Sequence, residues 1–121
     1  MARILVVDDD PQIRNLVQQI LLRANHQIVL AENGAAALAL CKQEAPDLVV
    51  TDMMMGGMNG IDFICALGRE YPGLRAIAIS GANQSADYYL AVAKLIGALK
   101  ILKKPFTRDE LLGAVEEVLQ R

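Results

Sequence analysis

Five short apolar runs, 4–7, 27–31, 48–51, 76–79 and 99–102, alternate along the chain with stretches whose apolar positions recur every three or four residues. Runs that short and that apolar read as strands buried on both faces, and the longer periodic stretches read as amphipathic helices. The punctuation supports this. Asp10 stands as N-cap with Pro11 in the first helical position, Ile13, Leu16, Val17, Ile20 and Leu21 follow helical spacing, and Asn25 ends the helix. A second helix is predicted near 35–42, after the Asn33-Gly34 turn and before Pro46. Thr107 and Glu110 form a capping box for the last helix, whose Leu111, Leu112, Val115 and Leu119 give an apolar stripe. Two middle helices, near 61–69 and 87–95, have Gly-rich and Ala-rich flanks that leave their starts open by several residues.

Five βα units in succession call for a parallel sheet covered by helices on both faces, a doubly wound α/β fold. The 121 residues suit one domain, 1–121, with no linker or repeat. Hydrophobic residues make up 54%, yet no run approaches the roughly 20 apolar residues of a membrane span. The start, Met1-Ala2-Arg3-Ile4, lacks the apolar core of a secretion signal, so a cytoplasmic location away from the membrane is expected. A net charge of -2 without a basic block gives nucleic acid no phosphate-neutralising patch, and none is expected as ligand. Cys41 and Cys65 have no CxxC spacing and His26 stands alone, which removes the usual zinc sites and leaves both cysteines as reduced core residues.

In open α/β sheets ligands sit beyond the carboxyl ends of the strands. The residues there are Asp8, Asp9 and Asp10 after the first strand, Asp52 after the third, Ser80 after the fourth and Lys104 after the fifth. With strands one and three adjacent, three or four carboxylates converge, and like charges that close need either a cation or a raised pKa. Oxygen donors without thiolate or imidazole suit Mg²⁺, which takes one or two carboxylates and keeps places for a phosphorylated group. An aspartate can attack phosphorus to give an acyl phosphate, helped by neutralisation of the transferring oxygens. Lys104, held before Pro105, and the Ser80 hydroxyl are suited to that role. Singly, Asp10 reads as a helix cap and a Ser or Lys past a strand as solvated; solvation hardly explains the whole set.

These segments resemble the receiver domain of two-component response regulators over essentially the whole chain. Residues 4–10, Ile-Leu-Val-Val-Asp-Asp-Asp, are similar to the family's first strand and acidic pair, which implies that Asp8 and Asp9 organise Mg²⁺, Asp9 more directly. Residues 47–52, followed by Met55, Met58 and Gly60, resemble the stretch around the phosphoacceptor, giving Asp52 that role and the backbone carbonyl of Met54 a place on the metal. Ile79-Ser80-Gly81-Ala82 resembles the hydroxyl segment, and Lys103-Lys104-Pro105-Phe106 the lysine followed by a cis-proline. The resemblance implies a flavodoxin-like (βα)5 domain of strand order 2-1-3-4-5 that is not a turnover enzyme. It would accept phosphoryl on Asp52 from a sensor histidine kinase or histidine phosphotransfer protein, assist its own Mg²⁺-dependent phosphorylation and dephosphorylation, and switch a surface for a downstream protein or attached effector domain.

The chain departs from the family at Gly56, where proline is usual, and at Ile101, where the aromatic partner of the Ser80 switch is usual. The segment from Ser80 to Lys104 is about two residues longer than in the family, placing an extension around 82–87. Tyr88 and Tyr89 fall on the helix that follows, as core, surface or binding positions. Met54 and Ala82, two beyond Asp52 and Ser80, cannot orient water, which predicts dephosphorylation no faster than in relatives with polar groups there. Three rivals are weaker. Asp8 and Asp10 form the D-x-D of a haloacid-dehalogenase-like phosphatase, but Pro11 and the short chain fit that class poorly. A flavodoxin-like cofactor binder would need a phosphate loop where three aspartates stand. A phosphorylation-independent interaction domain is consistent with Gly56 and Ile101, but leaves the Asp8, Asp9, Asp52, Ser80 and Lys104 set unexplained.

Overall fold

Alternating side chains set the layers. In β1 (Arg3–Val7), Ile4 and Val6 point into one core while Leu5 and Val7 point into another, so an unbroken apolar run is what a strand between two helical layers requires. The computed structural model describes residues 2–53, 60–81 and 100–120. After β1 come α1 (Pro11–Arg23), β2 (Gln27–Ala31), α2 (Gly34–Gln43), β3 (Leu48–Asp52), α3 (Gly60–Glu70), β4 (Arg75–Ser80), β5 (Lys100–Lys103) and α4 (Arg108–Leu119). All five strands join one parallel sheet in the order β2-β1-β3-β4-β5. The doubly wound fold and its strand order are as expected. The helix expected near 87–95, the extension around 82–87, and Met54, Met55, Gly56, Met58, Ala82, Tyr88 and Tyr89 lie outside the described residues.

One core packs α1 and α4 against Ile4, Val6, Leu48, Val50, Ile77 and Ile79; the other packs α2 and α3 against Leu5, Val7 and Val49, with Phe63 fully buried. The helix ends follow the sequence signals. The Asp10 side chain accepts from the Gln12 amide, and Asn33 Oδ1 accepts from the Ala36 amide. Thr107 and Glu110 close both hydrogen bonds of their capping box, at 3.0 and 2.9 Å. Asn25 takes the left-handed conformation, φ 67°, that turns the chain from α1 into β2. Two stripes differ from expectation. Leu16 is 47% exposed, because the buried side of α1 is formed by Val17, Ile20 and Leu21. In α4, Ala114 and Val118 are buried with Leu111 and Val115, while Leu112 and Leu119 lie only partly buried at the margin. Cys41 is buried and Cys65 half-buried, both with free thiols.

Candidate metal and phosphoryl site

The carboxyl ends of β1 and β3 are neighbours, with Val7 paired to Thr51, so the residues that follow each strand come together. Asp8, Asp9 and Asp52 bring carboxylate oxygens within 4.8 Å of one another. Asp8 and Asp52 are only 2% and 5% exposed, whereas Asp9 is exposed. From just beyond β5, the Lys104 ammonium reaches into the cluster, 3.3 Å from Asp52 Oδ2 and 3.9 Å from Asp8 Oδ2.

Backbone hydrogen bonds anchor this arrangement. The Met53 amide donates to the Ile79 carbonyl at 2.9 Å and the Lys104 amide to the Ser80 carbonyl at 2.8 Å. Consecutive carbonyls of β4 therefore hold the segments carrying Asp52 and Lys104. At β1, the Asp8 amide donates to the Ala31 carbonyl, and Asp8 Oδ1 accepts from the Asp10 amide at 2.9 Å. Asp10 is thus a helix cap and not a member of the cluster. Ser80, 2% exposed, ends β4 one residue beyond Ile79, the partner of Asp52. Ile101 lies half-buried in β5, paired with Ala78. The Lys104–Pro105 peptide is cis, as the resemblance implied.

Electrostatics at the site are unbalanced. Three ionised carboxylates and one ammonium leave a local charge of -2, and at about 4 Å two like charges repel by about 4 kcal/mol at an effective dielectric of about 20. Burial is the first cause that pushes the Asp8 carboxyl from 3.8 up to about 6. The Asp52 and Asp9 charges add to the rise, while the Asp10 amide and Lys104 oppose it. Asp8 Oδ2 is buried without a hydrogen-bond donor among the described residues, and Lys104 is too far to be one. A divalent cation matches both the excess charge and the undonated oxygen. The all-oxygen donor set fits Mg²⁺, with Asp8, Asp9 and Asp52 as the residues to hold it.

One contact was not anticipated from sequence. Arg14 Nη1 donates to the Asp8 backbone carbonyl at 2.8 Å, across six residues. A basic residue one turn into the helix after an acidic pair is the only signal that could have suggested it.

Residues 4–116 match the family described as the response regulator receiver domain. The chain is 36% identical to protein PilH of Pseudomonas aeruginosa, with 98% of each covered. It is 34% identical to the DNA-binding response regulator MtrA of Mycolicibacterium smegmatis, covering 98% of this chain and 51% of that one. The receiver domain of NtrX from Brucella abortus superposes with TM-score 0.92 at 33% identity, covering 97% of this chain and 98% of that one. The chemotaxis response regulator CheY4 of Vibrio cholerae superposes with TM-score 0.90 at 29% identity over 98% of each. Phosphorylation on aspartate and Mg²⁺ binding are general features of this family, and its members interact with histidine kinases or phosphotransfer proteins. Among the described residues no helix is long and apolar enough to cross a membrane. From fold and sequence alike, the chain belongs to the response regulator receiver domain family and is a signalling domain.

Proposed function

We propose that residues 1–121 form one cytoplasmic receiver domain that accepts a phosphoryl group on Asp52 from a histidine kinase or a histidine phosphotransfer protein. The observation that carries this reading is the ammonium of Lys104 3.3 Å from Asp52 Oδ2, at the rim of an acidic cluster whose Asp8 Oδ2 is buried and undonated among the described residues. Asp8, Asp9 and Asp52 would hold Mg²⁺, and the family resemblance adds the backbone carbonyl of Met54 as a further ligand. When bound, Mg²⁺ neutralises the carboxylates and the oxygens of the transferring group. Asp8 serves as ligand rather than acceptor, since its Oδ1 is engaged by the Asp10 amide.

In the transfer, a bond forms between an Asp52 carboxylate oxygen and phosphorus while the bond from phosphorus to the donor imidazole nitrogen breaks. The electron pair stays on the imidazole, which takes a proton from solvent. Lys104 moves its ion pair from the carboxylate to a phosphoryl oxygen, and the Ser80 hydroxyl donates to another. That hydrogen bond from Ser80 begins the switch to a downstream protein or attached effector. Ile101, an aliphatic residue, contributes packing to the switch and no swinging ring. The protein donor can seat beside the site, where Ile13, Leu16, Pro105 and Phe106 line an apolar groove of about 270 Å³ that also reaches Lys104. The phosphorylation-independent reading is no better supported.

Intact-mass analysis after incubation with acetyl phosphate and Mg²⁺ tests the proposal. The expected result is a gain of one phosphoryl group, absent in Asp52→Ala and in the presence of EDTA. An unmodified native chain would sink it.

A further inference from the structure

We infer that Arg14 is a positioning residue for the acidic pair, an assignment that rests on the reading of Asp8 and Asp9 as metal ligands. Arg14 is partly buried, and its Nη1 donates to the Asp8 carbonyl at 2.8 Å. Its own amide donates to the Asp10 carbonyl at 3.0 Å, the first hydrogen bond of α1. One residue therefore grips the Asp8–Asp10 segment at both ends, through side chain and backbone. The grip falls on the peptide group joining Asp8 to Asp9, where the chain leaves the sheet and strand pairing no longer fixes the peptide planes.

That peptide plane sets the directions in which both side chains leave the backbone. Arg14 holds the carbonyl with a charged donor, so the bond is stronger than a neutral one. It also keeps a carbonyl dipole engaged beside a cluster that already carries excess negative charge. The Asp10 amide on Asp8 Oδ1 and the Ala31 carbonyl on the Asp8 amide complete the restraint. Asp8 Oδ2 is then a buried side-chain oxygen left undonated among the described residues, which is the arrangement a cation needs. A partner that orients a ligand without touching the metal typically changes affinity by about 10- to 100-fold.

Calorimetric titration of Mg²⁺ into the full chain, together with hydrogen exchange of the Asp10 amide without metal, tests the inference. Arg14→Met keeps the aliphatic stem and removes the donors; it should raise the Mg²⁺ Kd about tenfold and speed Asp10 amide exchange. Arg14→Lys, which restores charge without the planar fork, should fall between it and the native chain. Arg23→Gln, on the same helix, should match the native chain. Native Mg²⁺ affinity in a folded Arg14→Met chain overturns the assignment. If Arg14→Met folds poorly, Arg14→Lys decides: weakened binding at an unchanged unfolding temperature supports positioning, and native affinity overturns it. A native chain that binds no Mg²⁺ would instead refute the functional reading beneath it.

Discussion

Strand β3 is buried from end to end, yet its two halves obey opposite rules. Leu48, Val49 and Val50 are enclosed by apolar neighbours in the two cores, and each such side chain contributes about 1.5–3 kcal/mol by leaving water. Two residues on, Asp52 is as well buried, but among charges. The body of the sheet generates stability, and its carboxyl edge consumes part of it. Asp8, whose carboxyl resists ionisation until about pH 6, measures that cost. The edge is tolerable because the same strands anchor it and because a cation can settle its charge.

Perturbing either region should leave the other's property intact. The largest effect is expected in the body: Phe63→Ala should lose about 3–5 kcal/mol in urea unfolding through cavity formation. The Mg²⁺ affinity of the chain that remains folded should change less than twofold. At the edge, the raised Asp8 pKa means that the folded state binds more protons than the unfolded state between pH 3.8 and about 6. This contribution to stability is full below pH 3.8 and is lost as pH rises to about 6. Its size is at most about 3 kcal/mol. Metal-free Asp8→Asn should lack this slope in unfolding curves taken across the window, and it should be the more stable chain at pH 7. Because Mg²⁺ requires the ionised form, its affinity for the native chain should weaken as pH falls below about 6. The smallest effect, about 1 kcal/mol, is expected for Thr107→Ala, which removes the cap of α4 and should leave Mg²⁺ binding unchanged. A Mg²⁺ affinity that follows Phe63 or Thr107 would erase the distinction between body and edge.

Most of this division was legible in the sequence, because local rules govern it. Alternating strands and helices fix which residues stand at strand ends, and the Asp10, Asn33 and Thr107 caps mark where helices begin, with no tertiary information required. Every expected strand boundary among the described residues lies within one residue of the observed one, whereas α1 ends at Arg23, two residues before the Asn25 expected to end it. What eluded reading depends on packing. Whether Leu16 turns inward depends on how α1 rolls against β2 and α4, and helical spacing alone assigns it to the stripe. Ala114 lies buried in the core, and its single methyl gives the hydrophobic pattern little signal to mark it. The convergence of Asp8, Asp9, Asp52 and Lys104 followed from strand order, but the bond from Arg14 to a backbone carbonyl did not. Such a contact involves no complementary side chain that a motif could display.

The strand order also has a consequence in time. The strands bearing the carboxylates, β1 and β3, are paired neighbours from the first half of the chain, whereas Lys104 lies 52 residues after Asp52. At synthesis rates of about 5–20 residues per second, that separation amounts to roughly 3–10 seconds. Any pairing of β1 with β3 on the ribosome gathers the acids before their lysine has been made. During that interval a proton or a cation has to stand in for the lysine, so the nascent domain meets its charge problem before it owns its built-in answer.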